Sequence, residues 1–498
     1  MKILSILFLV VIFLSACQTN KESVSAIDHS AHEPFRSQYH FTPATGWMND
    51  PNGMVYYDGE YHLFYQYYPD STVWGPMHWG HAVSTDMIHW EHLPIALYPD
   101  SLGYIFSGSA VVDWKNTSDF GMVDKPAMVA IFTYHDPESD RAGRVDFQTQ
   151  GIAYSLDKGR TWIKYKNNPV LPNPGIRDFR DPKVSWNDIS NQWIMTLAVK
   201  DHIEFYASAD LKQWHKLSEF GQSIGAHGGV WECPDLFSLS DEQGKKRWIL
   251  FVSINPGGPQ RGSATQYFVG DFDGQNFISQ DTVTRWIDYG ADNYAGVTWS
   301  DIPASDGRRL FMGWMSNWQY ATVVPTQLWR SAMTLPREVM LHKKHQGYEL
   351  KFRVVKEIED VQQEPRRYTG SAVVDNPLFR LDFNLEEAEN EFSLTLSNDQ
   401  QEKVVLNAKD GVLTFDRTAS GITEFSADFP QVHKVDMRQI TIRKISIYAD
   451  LASLEIFIND GEHVLTELVF PNKPYQRIKL EKLNSQFTVY GIDSSLNE

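Results

Sequence analysis

The sequence predicts an all-β protein, in which a five-bladed β-propeller is followed by a C-terminal β-sandwich. Short apolar runs bounded by Gly, Asn, Asp and Pro dominate the chain, and helical periodicity is scarce. Five of these runs recur at intervals of about 55–67 residues. A repeat of this length accommodates about four strands, which is the size of one propeller blade.

Five apolar runs define the predicted blades, which together cover residues 38–340. They are YHLFYQY from Tyr61, MVAIFTY from Met128, QWIMTLA from Gln192, RWILFVSI from Arg247 and RLFMGWM from Arg309. Most are followed by a strand, an Asp- or Gly-containing turn and an aromatic residue, as in AYSLDKGRTW. A β-sandwich could also contain many short strands, but it would not explain this periodic hairpin.

The N-terminus predicts export. Residues 1–17 combine Lys2, an apolar run too short to span a bilayer comfortably, and the sequence Leu-Ser-Ala before Cys17. This resembles a bacterial lipoprotein signal with lipidation at Cys17; an ordinary signal peptide is the alternative. We expect 18–37 to be a flexible linker. The expected location is the cell envelope, in the outer membrane if the host is Gram-negative, on its periplasmic or cell-surface face.

The pattern changes after the fifth run. Residues 341–367 are charged and are interpreted as a connector with a short helix. Residues 368–498 contain alternating strands such as EFSLTLS and SLEIFIND, which predict the β-sandwich. We expect this domain to be structural or to contact sugar.

Composition excludes several functions. The chain has 45 Lys and Arg against 63 Asp and Glu, for a net charge of −18, which argues against nucleic-acid binding. Aromatic residues make up 13% of the chain and include 16 Trp, an abundance that fits both β cores and sugar-binding surfaces. Lipidation of Cys17 would leave Cys233 without a disulfide partner.

Three acidic residues occupy equivalent places in the repeat. Asp50 precedes Pro51, Asp181 precedes Pro182, and Glu232 precedes Cys233 and a proline, each ahead of an apolar run. Proline suits the first residue of a strand because its missing N–H is not needed there. If these are the innermost strands, the three acids converge at one mouth of the propeller axis.

Converging carboxylates in an aromatic-lined funnel suit glycoside hydrolysis, which uses one carboxylate as nucleophile or base and a second as acid. Glu232 is the better candidate for the acid. Asp50 is the better nucleophile, because the amides of Asn49 and Asn52 could hold it ionised.

Other candidate sites are interpreted as structural. The H-x-x-H spacings of His78, His81, His89 and His92 lack a cysteine partner and a zinc-binding helix motif, so no metal site is predicted there. Residues 271–274 lack the distal glutamate of a calcium loop. Cys233 has no histidine in a cysteine-hydrolase context and is interpreted as a packing residue.

WMNDPNG, FRDP and WECPD, in this order, resemble glycoside hydrolase family 32, the invertase, inulinase and levanase family. The resemblance covers nearly the whole mature chain. It implies a five-bladed propeller, no cofactor and a retaining β-fructofuranosidase. In the matching motifs, Asp50 corresponds to the nucleophile, Glu232 to the acid/base and Asp181 to the transition-state stabiliser.

The resemblance also implies residues that bind the terminal fructosyl unit. They are Asn49, Gln66, Trp74, Phe106, Ser107 and Arg180, and, in less tightly matching motifs, Asp292 and Trp314. Of the Trp-rich stretch 74–90, Trp74 and Trp79 are the expected pocket-lining residues.

The expected activity is exo-acting release of fructose from levan, inulin or sucrose. An endo-acting levanase or inulinase is the first alternative, and a non-catalytic fructan-binding surface lipoprotein is a remote one. A sialidase or an arabinan hydrolase would share the propeller but not these motifs. The expected partners are the fructan or fructosyl-oligosaccharide substrate and, through the anchor alone, a membrane. No obligate protein partner is evident.

Overall fold

The computed structural model describes residues 33–495, except residues 281, 346, 387–390 and 483. Helices in this part of the chain are limited to one α-helix, Pro137–Arg141, and two 3-10 helices, Ala321–Val323 and Lys356–Val361. None of the described helices is long and apolar enough to cross a membrane. The predicted signal peptide, Cys17 and most of the predicted linker lie outside the described residues.

Five sheets, antiparallel apart from one short edge pairing, form the propeller, and each is one blade. From the inner strand outward, the strands are Gly46–Tyr57, Glu60–Tyr68, His78–Ser84 and Glu91–Leu97 in blade 1; Tyr104–Val112, Met128–His135, Gln148–Ser155 and Ile163–Lys164 in blade 2; Phe179–Asn187, Gln192–Val199, His202–Ser208 and His215–Phe220 in blade 3; Val230–Ser240, Lys246–Asn255, Ala264–Phe272 and Phe277–Ser279 in blade 4; and Tyr294–Thr298, Leu310–Met315, Arg337–Lys343 and Tyr348–Val354 in blade 5.

The second strand of every blade carries one of the five apolar runs, so the predicted repeat is confirmed. These strands are apolar on both faces because each blade is covered by the next one. All eight residues of Met128–His135 are buried, for example. The fold class predicted from the repeat is therefore the observed one.

The five inner strands form a closed ring around the axis. Each contacts the inner strand of the next blade, and the inner strand of blade 5 contacts that of blade 1. Three short strands complete the sheets: Trp329–Arg330 pairs in parallel with the inner strand of blade 1, Arg285–Trp286 with the third strand of blade 4, and Ala332–Met333 with the second strand of blade 5.

The blades extend past the expected boundary at residue 340. Arg337–Lys343 and Tyr348–Val354 pair as the outer strands of blade 5, so much of the expected connector belongs to the propeller. The sequence did not indicate that Tyr348–Val354 is a strand, because charged residues alternate along it and its outward side chains face solvent. The expected short helix is the 3-10 helix Lys356–Val361.

The structure also differs from the expected linker at its C-terminal end. Arg36 and Ser37 are buried rather than extended in solvent. The Arg36 guanidinium lies over the Trp329 ring at 4.5 Å and donates hydrogen bonds to the Thr42 hydroxyl and the Pro43 carbonyl. The ordered body therefore begins before residue 38.

Two six-stranded antiparallel sheets form the C-terminal β-sandwich. Their strands, in spatial order, are Arg366–Thr369, Gln486–Gly491, Phe379–Asn384, Lys444–Ala449, Ser453–Ile458 and His463–Leu468 in one sheet, and Ser371–Val373, Arg477–Glu481, Phe392–Ser397, Lys403–Lys409, Val412–Ala419 and Val432–Asp436 in the other. Alternate residues such as Phe379, Leu381, Phe392 and Leu394 point into one apolar core.

Candidate active site

Every inner strand departs from regular pairing near its first residues. The irregularities fall between Met48 and Pro51, Ile105 and Gly108, Arg180 and Lys183, Glu232 and Asp235, and Tyr294 and Val297. A β-bulge of this kind bends the strand and re-aims its side chains. Five bulges at one end of the ring direct their side chains toward one mouth of the axis.

The sequence had suggested that the three acids precede the inner strands. In the structure, they lie within or beside the bulges of these strands. Asp50 and Asp181 occupy unpaired bulge positions, and Glu232 opens the bulge of blade 4. Backbone strain accompanies the change of direction, because Asp181 has a φ of 63° and Cys233 a φ of 45°. The adjacent prolines are tolerated because a bulge leaves ladder donors unused.

Asp50 is buried and accepts hydrogen bonds at both carboxylate oxygens. The Asn49 amide donates to Oδ1 at 2.9 Å, and the Ser107 hydroxyl donates to Oδ2 at 2.6 Å. Burial raises the pKa of Asp50, whereas the hydrogen bonds from Ser107 and Asn49 lower it. Asn52 does not supply the expected second amide: its Nδ2 is buried without a hydrogen-bond partner among the described residues, and its Oδ1 accepts a bond from the Gly108 N–H.

Cys233 connects two of the carboxylates. Its Sγ lies 3.5 Å from Asp50 Oδ2 and 3.6 Å from Asp181 Oδ2, and its backbone N–H donates to Asp181 Oδ2 at 3.0 Å. Burial and the surrounding carboxylates raise the pKa of this thiol well above its usual range, so it remains a neutral donor. Cys233 is thus more than a packing residue, and it contacts the two aspartates.

Asp181 shares its surroundings with both other acids. Burial raises the pKa of Asp181 to about 7, and the charges of Glu232 and Asp50 add to this effect while Arg180 opposes it. Its backbone N–H donates to the Thr133 hydroxyl at 3.0 Å, which fixes the bulge against blade 2.

Glu232 is held at both oxygens. The Arg180 guanidinium donates to Oε1 from Nε at 3.2 Å and from Nη2 at 2.8 Å, and the Tyr294 hydroxyl donates a short hydrogen bond to Oε2. Arg180 also donates to Asp178 at 2.6 Å. These contacts fix the carboxyl in one orientation beside Cys233 and Asp181.

Tyr294 is a site residue that the sequence reasoning missed. It begins the inner strand of blade 5, at the place that the acids occupy in other blades. A signal was present, since Tyr294 precedes the fifth apolar run by the same interval as Glu232 precedes the fourth. The acid–proline pattern that marks the other site residues is absent here, so it did not single out Tyr294.

Three further predicted residues contact or belong to the segment that leads into Ser107, the partner of Asp50. Gln66 is buried, and its amide donates to the Ile105 carbonyl at 3.0 Å. Phe106 stacks on the His135 ring at 4.3 Å. Trp74 is 40% exposed and packs edge-on against Phe106, with 6.0 Å between ring centroids. An aromatic rim beside polar groups suits an amphipathic sugar ring.

Asp292 and Trp314 do not line this pocket. The Asp292 carboxylate is fully buried against the sandwich and accepts hydrogen bonds from Arg417, Tyr320 and the Leu468 N–H. Trp314 is 0% exposed and packs behind Trp47 and Tyr294. Both expectations were wrong, because the motifs could not indicate which side chains face inward.

Trp79 was also expected in the pocket, but it is fully buried between blades 1 and 2. Its indole N–H donates to the Phe106 carbonyl at 2.9 Å. Trp79 therefore supports the backbone beneath the aromatic rim and offers no ring face to a sugar.

One group of side chains in the described part of the chain has the spacing for a metal ion: His202, Glu204 and Glu219. The Lys216 ammonium already forms ion pairs with both glutamates. A side-chain cation therefore occupies the position that a metal would take, and this cluster lies apart from the carboxylates at the axis.

The chain is similar to known proteins along most of its length. Models of the glycosyl hydrolases family 32 N-terminal domain and of the family 32 C-terminal domain match residues 40–352 and 349–494. A levanase from Bacillus subtilis (strain 168) is 46% identical over 506 residues, which cover 97% of this chain and 73% of the levanase. Invertase 1 of Saccharomyces cerevisiae is 37% identical, over 96% of this chain and 84% of the invertase.

A solved structure supports the same assignment. Exo-inulinase from Aspergillus awamori superimposes with a TM-score of 0.86 and 34% identity, covering 94% of this chain and all of the inulinase chain. Its fold agrees with the propeller and sandwich described above. With both family models matched, the chain is a glycoside hydrolase that belongs to glycosyl hydrolase family 32.

Proposed function

We propose that this protein is a retaining, exo-acting β-fructofuranosidase that removes terminal fructosyl units from levan, inulin or sucrose. The observation that carries the proposal is the convergence of Asp50, Asp181 and Glu232 around Cys233. Two carboxyls with different environments provide the nucleophile and the acid that glycoside hydrolysis requires.

In the first step, a carboxylate oxygen of Asp50 attacks the anomeric carbon of the bound fructosyl unit. The bond to the leaving oxygen breaks, and protonated Glu232 gives its proton to that oxygen. Asp181 accepts hydrogen bonds from sugar hydroxyls as the oxocarbenium-like charge develops. The product of this step is a fructosyl ester of Asp50.

In the second step, ionised Glu232 removes a proton from water, and the resulting oxygen attacks the same carbon. The ester bond breaks, fructose leaves, and Asp50 returns as a carboxylate. Arg180 and Tyr294 hold the Glu232 carboxyl so that one group serves both steps. This route requires the Asp50 and Glu232 carboxyls to lie about 5–5.5 Å apart.

The decisive experiment is Asp50→Ala with Asp58→Ala as its matched control, because Asp58 is solvent-facing and remote from the pocket. We expect Asp50→Ala to lose at least about 10³-fold in kcat and Asp58→Ala to keep wild-type activity. Mass spectrometry of denatured wild-type enzyme should find a fructosyl adduct on Asp50. An Asp50→Ala enzyme with full activity would refute the proposed mechanism.

Exo action is supported by the likeness to an exo-inulinase. A short digest of levan, inulin and sucrose in parallel tests it. Fructose as the sole early product from the polymers supports exo action, whereas a ladder of oligosaccharides would show the endo-acting alternative.

We also propose that the enzyme is an exported lipoprotein anchored through Cys17. The sequence of residues 1–17 supports this proposal. Metabolic labelling with an alkyne fatty acid should mark the wild-type protein and not Cys17→Ala, and the variant should leave the membrane fraction. Equal labelling of both would contradict the proposal.

A further inference from the structure

The opposite end of the propeller axis contains a second cavity of ≈ 380 Å³, which we call the distal cavity. Its walls come from inner strands beyond the bulges and include Val112, Lys183, Asp235 and Thr298. Thr298 lies four residues after Tyr294, or at most about 13 Å along the strand. None of Asp50, Asp181 and Glu232 lines the distal cavity, which is therefore distinct from the carboxylate pocket and large enough for a small ligand.

Two residues that line the distal cavity carry buried oxygen atoms without a protein partner in the described part of the chain, namely Asp235 Oδ1 and Thr298 Oγ1. Both residues are at most 1% exposed. The other carboxylate oxygen of Asp235 accepts the Thr298 N–H at 2.6 Å, so the side chain is fixed. Unpaired buried oxygens destabilise a folded protein, so they point to a bound molecule that supplies the missing hydrogen bonds.

The charges around these oxygens favour a neutral ligand. Lys183 Nζ lies 3.4 Å from Asp235 Oδ2, and Arg309 and Asp301 also line the cavity. Two cations beside two carboxylates sum to no net charge, so the lining favours neither a metal ion nor an anion. A hydroxyl group suits the site, because it can donate to Asp235 and exchange a hydrogen bond with Thr298.

Tryptophans surround the entrance of the distal cavity. Trp114 is 53% exposed, and its indole N–H donates to Asp301 Oδ1 at 2.8 Å, which fixes the ring. Trp186 and Trp248 also line the cavity, with the Lys115 and Lys246 ammonium groups over their rings at 4.0 and 5.4 Å. The fixed, exposed Trp114 ring offers a face on which the apolar side of a sugar ring can stack.

We propose that the distal cavity is a second, non-catalytic sugar site that takes one fructofuranosyl unit of the polymeric substrate. Hydroxyl groups of the sugar would satisfy Asp235 and Thr298, and Trp114 would stack on the ring. The assignment of the sugar as a fructofuranosyl unit rests on the proposed function. The polar and aromatic lining of the cavity does not depend on that proposal. Its role is to hold the polymer on the enzyme between catalytic events.

Calorimetric titration of Asp50→Ala with short inulin-type and levan-type oligosaccharides tests the proposal without consuming the ligand. We expect two binding events, and we expect Thr298→Val or Trp114→Ala to weaken only one of them, by about tenfold. Thr298→Val is nearly isosteric and removes a hydroxyl that has no protein partner, so its fold should survive. Val373→Ala, which alters an exposed sandwich residue, is the matched control.

Kinetics provide the second readout. In the otherwise wild-type enzyme, Thr298→Val should lower kcat/KM severalfold on levan or inulin and leave sucrose hydrolysis unchanged. A single binding event, or two events that neither variant affects, would overturn the proposal and indicate that the distal cavity is a water-filled channel. If the wild-type enzyme releases no fructose, the proposed function is refuted. The calorimetric titration tests the distal cavity separately.

Discussion

Cys233 contributes to the site by its position between two carboxylates. A neutral thiol 3.5 Å from Asp50 and 3.6 Å from Asp181 can donate to either oxygen while adding no charge. A carboxylate pair in a buried site needs such donors, because desolvation and mutual repulsion favour protonation. The thiol therefore helps to keep the proposed nucleophile ionised.

We expect Cys233→Ala to lower kcat/KM by about two- to tenfold. Removing a donor raises the pKa of Asp50 further, so the acidic limb of the pH–rate profile should move to higher pH. Cys233→Ser, which retains a donor, should move the limb less. A Cys233→Ala profile that overlays the wild-type profile would contradict this role.

Tyr294 positions the proposed acid/base through its hydrogen bond to Glu232 Oε2. We expect Tyr294→Phe to lower kcat by about tenfold or more with little change in KM, because a hydrogen bond to a carboxylate orients the proton donor. Steady-state kinetics on sucrose measure the effect.

Tyr320→Phe is the control, because Tyr320 donates to the buried Asp292 far from the carboxylate pocket. It should lower thermal stability and leave kcat unchanged. Equal kcat losses in the two variants would mean that Tyr294 acts through general stability.

At the scale of the element, the bulge of each inner strand determines which side chains reach the axis. Three bulges include a non-glycine residue with positive φ: Asp181, Cys233 and Ala295. A left-handed conformation costs a residue with a Cβ roughly 1–2 kcal/mol. The tightly packed ring of strands maintains this strain.

Ala295 allows the strain to be measured. Ala295 has a φ of 54° in the bulge of blade 5, whereas Ala110 lies in a regular part of the blade 2 inner strand, and both are buried. We expect both variants to lower the free energy of unfolding, and we expect the decrease to be about 1 kcal/mol smaller for Ala295→Gly than for Ala110→Gly. The reason is that glycine relieves strain only at position 295. Denaturant unfolding of both variants provides the comparison, and equal losses would show that the bulge is unstrained.

For the whole molecule, buried ion pairs join the propeller to the sandwich. Arg337 pairs with Asp288 and with Glu455 of the sandwich, and Arg417 of the sandwich pairs with Asp292. His40 lies between Asp450 and Glu455, with nitrogen–oxygen distances of 2.7 and 2.9 Å. Such pairs fix the relative orientation of the two domains, because an unpaired partner would be a buried charge.

This interface makes stability depend on pH. Burial lowers the pKa of His40, but its hydrogen bonds to Asp450 and Glu455 outweigh that effect and raise it to about 9 from the usual 6.5. Protonated His40 therefore stabilises the fold fully below pH 6.5, and this contribution, about 3 kcal/mol at most, is lost as pH rises through 9. We expect the unfolding midpoint to fall between pH 7 and 9 in wild type and to fall less in His40→Gln, as measured by calorimetry. Parallel pH dependences would contradict the assignment.

Local sequence patterns are sufficient to predict the strands of the propeller and the convergence of the acids. Apolar runs at a fixed interval specify second strands of blades, and the acid before Pro51 or Pro182 marks the inner strand, because both patterns follow from local backbone and burial requirements. The motifs then narrowed the chemistry to a carboxylate-based glycosidase.

Which side chains face the axis depends on contacts that form only in the folded protein. The approach of Cys233 to two aspartates, the contact of Tyr294 with Glu232 and the exclusion of Asp292 and Trp314 depend on bulges and on packing between residues distant in sequence. A strand alternates its side chains by face, so one extra residue in a bulge reverses which of them point inward. Packing against the neighbouring blades and the sandwich sets that reversal, so it cannot be predicted from the local sequence.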